Sequence, residues 1–94
     1  MNDSILTMTI ANQLADDACG PVWGSQIHRD TKRGNIARAA RSAACSALIC
    51  HIGDVKPGSW RYDAPGFTER LAEARSVAAA AFDAEVVRLK GRAA

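Results

Sequence analysis

The side chains of this 94-residue chain that could carry covalent or metal chemistry are Cys19, Cys45, Cys50, His28 and His51. A zinc site is usually built from pairs of ligands separated by roughly two to four residues. No Cys-x-x-Cys or His-x-x-x-His spacing occurs among them, and the adjacent Cys50 and His51 would point about 100° apart on a helix. A thiol nucleophile needs a histidine base and a third group to orient it. Cys50, His28 and Asp54 supply the residue types, but nothing in their spacing draws them together, and so short a chain has little scaffold for a cleft. The thiols are therefore expected to be buried structural cysteines in alanine-rich helix, with no catalytic residue, no metal site and no cofactor. The odd number of cysteines and the absence of a charged-then-apolar leader fit reduced thiols in a cytoplasm. The glycines are scattered as punctuation and form no phosphate cradle.

Charge offers a second kind of chemistry. The net charge of +2 is small but unevenly placed. Residues 1–28 hold Asp3, Asp16 and Asp17 and no cation, whereas residues 29–41 hold Arg29, Lys32, Arg33, Arg38 and Arg41 against Asp30 alone. Cations ahead of and inside the first turns of a helix oppose its dipole, so an anionic partner would relieve a conflict. The competing account is a solvated face, with Arg38 and Arg41 matched to acids elsewhere in the chain. Nucleic acid is the weaker partner class, because the overall charge is low, no binding motif is present and the aromatics are not interleaved with the basic run. A helix-turn-helix needs a tight turn, and the connection ahead of the second helix is far longer.

Aromatic residues supply a third candidate. Trp60-Arg61-Tyr62 is the densest aromatic stretch and lies between the turn signals Pro57-Gly58 and Pro65-Gly66. Trp, Tyr and Arg are enriched at binding hot spots, which suits Arg61 and Tyr62 to partner contact. Trp60 and Trp23 are better suited to plugging a core poor in large side chains. Glu69 and Glu73 read as surface carboxylates, neutralised by Arg70 or Arg75.

Three helical segments must position these groups. The first spans Ser4 to Cys19, with Ile10, Leu14 and Ala18 at helical spacing and Gly20-Pro21 as its stop. Residues 4–10 also alternate as a strand would, through Leu6, Met8 and Ile10. A connection from Gly20 to Asn35 follows, pinned by Trp23 and Ile27, with a short turn capped by Ser25. The second helix runs from about Asn35 to Ile52 and ends at Gly53. Its expected core face is Ile36, Ala40, Ala43, Ala47 and Cys50, widened by Ala44, Leu48 and Ile52. The third helix begins at Phe67 or Thr68, with Thr68 as cap, and runs to Lys90 before Gly91. Leu71, Ala74, Ala78, Phe82, Val86 and Leu89 form one stripe along it, and Val77, Ala81, Ala84 and Val87 a second that could serve a homodimer.

The expected fold is one all-α domain over 1–94: a small bundle of three principal helices, with an irregular aromatic loop between the second and third. The longest apolar run, Ala43 to Ile52, falls short of the ~20 residues that cross a membrane. The expected function is that of a non-enzymatic interaction protein, a small adaptor or inhibitor that binds another protein or protein complex. The alternative is a nucleic-acid-binding regulator using residues 29–41. Abundant alanine, and arginine in excess of lysine, fit a high-GC bacterial or phage source. By analogy alone, small proteins of that origin act on host or defence machinery.

Overall fold

The computed structural model describes residues 3–53 and 65–93, with side chains described over 8–52 and 65–91. Trp60, Arg61 and Tyr62 lie outside those residues, as do the side chains of Ile5 and Leu6. Three helices make up the described chain: α1 (Asp3–Gly24), α2 (Lys32–Gly53) and α3 (Phe67–Ala93). Residues 4–10 are helix, so the strand alternative for that segment falls.

The predicted stop at Gly20 is a kink inside α1. Gly20 takes φ 66 and ψ 178, which breaks the helical path, and one further turn follows from Pro21. Proline suits the first position of a resumed turn because its missing N–H would be unpaired there in any case. Ser25 does not cap a following turn, as its position suggested. Its hydroxyl donates to the Val22 carbonyl at 2.8 Å and closes the turn before it.

The second helix starts three residues earlier than Asn35, because Thr31 is its cap. The Thr31 hydroxyl accepts from the Gly34 N–H at 3.0 Å, and the Asn35 N–H reaches the Thr31 carbonyl at 2.9 Å. The third helix starts at Phe67, which puts Thr68 inside the first turn; there the Arg70 N–H bonds to the Gly66 carbonyl at 3.0 Å. It also runs past Gly91 to Ala93, and its 27 residues span about 40 Å. The molecule measures 45 × 21 × 20 Å, so this helix sets its long axis.

Pairs of residues fix the direction of each helix. His51, near the end of α2, faces Glu73, near the start of α3, while Ile36 and Lys90 share a hollow at the other end. The second and third helices are therefore antiparallel. The α1 residues Asp16 and Asn12 meet Arg41 of α2, and Trp23 of α1 meets Phe82 and Lys90 of α3. The bundle runs up, down, up.

The core is lined with methyl groups. Seven buried alanines (Ala11, Ala15, Ala37, Ala40, Ala44, Ala74 and Ala78) let the helices approach closely, while Phe82, Leu48 and Ile52 are its largest fully enclosed side chains. Each of those three contributes about 1.5–3 kcal/mol, against roughly 0.8 for an alanine methyl. On α2 the core face is Ile36, Ala37, Ala40, Ala44, Leu48 and Ile52. The expected stripe through Ala43, Ala47 and Cys50 lies to one side of it: Ala43 and Ala47 are half-buried and Cys50 is exposed. On α3 the first stripe is the buried one, with Leu71 and Leu89 half-covered at its ends. The second stripe is half-buried at Val77 and Ala81 and exposed at Ala84 and Val87. Among the described residues no helix is long and apolar enough to cross a membrane.

Candidate functional site

Four of the five cations of residues 29–41 lie in the α1–α2 connection or the first two turns of α2, and Arg41 lies further along, beside the middle of α1. The structure divides them into two groups.

Arg38 and Arg41 are tied to the chain itself. The Arg38 guanidinium donates to the carbonyls of Ile27 at 2.9 Å and Arg29 at 3.1 Å, and to the side chain of Asn35. It clamps the α1–α2 turn against the second turn of α2. Its partners are carbonyl oxygens and an amide, not the acids the competing account supposed. Arg41 does meet an acid: its Nε lies 2.6 Å from Asp16 Oδ1, and its Nη2 donates to Asn12 Oδ1 at 3.2 Å. The hydrogen bond to Asp16 is the main reason the Arg41 guanidinium holds its proton more tightly than an ordinary arginine.

Arg29, Lys32 and Arg33 are exposed, and their side chains make no hydrogen bond or ion pair among the described residues. Lys32 and Arg33 occupy the first two positions of α2, whose first turn holds no acid. The conflict with the helix dipole expected from the sequence is therefore present and uncompensated.

Among the described residues, two hollows flank this end. The larger, about 530 Å³, lies between Asp16, Ile27 and His28 on one side and Arg38, Arg41, Ser42 and Cys45 on the other. Its guanidinium groups are already occupied, and Asp16 supplies an anion of its own. The smaller, about 300 Å³, is lined by Val22, Trp23, Gln26, Arg33, Ile36 and Lys90. Trp23 meets the buried Phe82 edge-on, with ring centres 6.3 Å apart, and Lys90 Nζ lies 5.4 Å from the Trp23 ring centre. Trp23 is thus half core plug and half wall of the hollow.

The thiols are spread across three environments. Cys19 is buried, Cys45 half-buried and Cys50 exposed, so the expectation of three buried cysteines holds only for the first. Burial pushes the Cys19 thiol above its ordinary value, with the nearby Arg41 charge opposing and Asp16 reinforcing the shift. It is Cys45, not Cys50, that shares a hollow with His28, and Asp54 lies outside the described residues. Among the described residues no group of three His, Cys, Asp or Glu side chains could hold a metal ion. Glu69 and Glu73 are exposed, and Glu73 faces His51 at 4.0 Å instead of a neighbouring arginine.

Sequence reasoning did not bring Lys90 to this site. It is far along the chain from Trp23 and Arg33, and only the antiparallel return of α3 places it there. No family model, no curated protein and no solved structure matches the chain.

Proposed function

We propose that this protein is a non-enzymatic interaction protein, a small adaptor or inhibitor that binds another protein through the cationic end of its bundle. One observation carries the reading. Arg29, Lys32 and Arg33 stand unpartnered among the described residues, and Arg33 lines a partly apolar hollow rimmed by a fourth cation, Lys90. Cations left without acids at a helix start weaken the fold slightly, and an acidic partner turns that cost into binding energy and faster encounter. Behind this surface Arg38 holds the turn that presents it, and Arg41 ties α2 to α1 through Asp16 and Asn12. Arg61 and Tyr62 remain candidate contacts on sequence grounds, as does a homodimer through the exposed half of the second α3 stripe. The action on host or defence machinery stays an analogy drawn from composition.

The experiment is affinity capture with the wild-type chain and with Arg29→Glu, Lys32→Glu and Arg33→Glu combined. A discrete protein partner captured by the first and lost with the second, at unchanged helical content, supports the reading. Capture indifferent to the triple reversal ends it. The nucleic-acid alternative is tested in parallel by gel retardation at low salt. Binding through phosphates would weaken steeply as salt rises, and the slope would flatten in the triple variant.

A further inference from the structure

We infer that the smaller hollow is a docking groove for an acidic peptide segment of a partner protein. It would seat a large apolar side chain against Trp23 and Ile36 and a neighbouring carboxylate between Arg33 and Lys90. The inference rests on the reading of the cationic end as a contact surface, and it names the chemistry of what that surface meets.

The lining combines two features that a peptide of this kind would satisfy together. Trp23 and Ile36 offer an apolar wall, and Val22, 70% exposed, extends it onto the rim. Among the described residues the charged members of the lining are the cations Arg33 and Lys90. Arg33 has no partner among the described residues, and the interaction recorded for Lys90 is with the Trp23 ring. The wall is also preformed, because Trp23 is held by its edge contact with Phe82, itself 1% exposed. A fixed wall lowers the ordering cost of binding. A volume of about 300 Å³ lies at the small end of ligand pockets, a size suited to one side chain and its neighbour. The larger hollow lacks this complementarity, since Asp16 lies within it and its two arginines are engaged.

Nucleic acid fits the smaller hollow less well. Single strands bind proteins by stacking bases on open aromatic faces. Trp23, with Lys90 over the ring and Phe82 against it, is a single partly covered ring and not a run of open aromatic faces.

The test is fluorescence anisotropy with labelled pentapeptides of sequence Glu-Asp-X-Glu-Asp, where X is Phe, Leu, Trp or Ala, and with a short single-stranded oligonucleotide. The peptides with a large apolar centre should bind at least about tenfold more tightly than the alanine peptide. Arg33→Gln with Lys90→Gln should weaken them by about tenfold or more, whereas Arg75→Gln, at an exposed position of α3 outside the lining, should change them by less than about threefold. Val22→Asp, at an exposed rim position, should repel the same peptides without disturbing the core. Three results would overturn the inference: no binding of the Phe, Leu or Trp peptides at millimolar concentration, equal binding of the alanine peptide, or binding indifferent to the Arg33 and Lys90 substitutions. Arg33- and Lys90-dependent binding of the oligonucleotide but not of the peptides would also overturn it, in favour of nucleic acid. The wider reading is judged separately by the capture experiment. If capture needs the cationic end while the peptides fail, only the occupant of the groove is wrong.

Discussion

A Cβ placed on Gly34 would lie 2.0 Å from the carbonyl oxygen of Arg29, and 2.8 Å from that of Gln26. The α1–α2 turn therefore rests directly on the backbone of the first turn of α2, and Gly34 is buried beneath it. The obstructing atoms are main-chain oxygens, which cannot swing aside as a side-chain tip could. The cationic end keeps its shape because this residue has no side chain.

Gly34→Ala should accordingly displace the turn and cost on the order of 1–3 kcal/mol. For a domain of this size each kcal/mol lowers the melting temperature by about 4–8 °C. Thermal unfolding by circular dichroism measures the loss. Gly91→Ala is the control: nothing lies within 4 Å of its added methyl, so it should be neutral or slightly stabilising.

Lys32→Glu should raise stability while it weakens partner capture. Lys32 opens a helix whose first turn has no acid, and a carboxylate there would gain about 0.3–1 kcal/mol from the helix dipole. Urea midpoints and capture yield, measured on the same preparation, should move in opposite directions. A residue that serves only the fold would move them together.

The expected core face of α2 contains the buried Ile36, Ala40, Ala44, Leu48 and Ile52 but extends too far to one side, through Ala43, Ala47 and Cys50, and the reason is physical. Alanine occurs around much of residues 37–47, so small side chains give little contrast between inside and outside. The large residues Ile36, Leu48 and Ile52 mark the buried line through Ala40 and Ala44. The third helix was easier to read, because Phe82 and Val86 stand out among its alanines. The kink at Gly20 was legible as an interruption, but not as one that resumes, since that depends on Pro21 fitting the first position of a new turn. The basic stretch was legible as charge. Its division into three unpartnered cations and two structural ties was not, because Arg41 finds Asp16 on another helix and Arg38 finds carbonyls that carry no sequence signal.

Arg41→Met should cost about 1 kcal/mol, the scale of a partly exposed ion pair with its accompanying hydrogen bonds. Asp16 is 67% exposed on its side chain and Arg41 26%, so water screens the pair and the smaller end of the range applies to the coupling. A double-mutant cycle with Asp16→Asn should return a coupling of about 0.2–1 kcal/mol that shrinks as salt rises.

Ala44→Leu should be among the most damaging single changes in α2. Ala44 is fully buried in the core cluster, and three extra heavy atoms there would force the helices apart at about 1–3 kcal/mol or more. Ala80→Leu, on the exposed side of α3, should leave the urea midpoint almost unchanged.

Stability should hold through neutral pH and decline on the alkaline side. Burial raises the Cys19 thiol above its ordinary value of 9.0, so the folded state keeps this proton at a pH where the unfolded chain releases it. The contribution is complete below that ordinary value and is lost as pH climbs from it toward the raised folded value. Urea midpoints measured from pH 7 to about pH 10 should show that decline, and Cys19→Ala should remove this component of it. In the same samples Cys50, which is exposed, should react with a thiol reagent well before Cys19.

The chain has two tryptophans, and Trp23 stands with a lysine ammonium over its ring at the mouth of a hollow. Indole emission responds to nearby charge and to the exclusion of water. With Trp60→Phe, the remaining indole becomes an optical reporter of that mouth, so any visiting molecule that shifts the ammonium would announce itself in colour and intensity without a label.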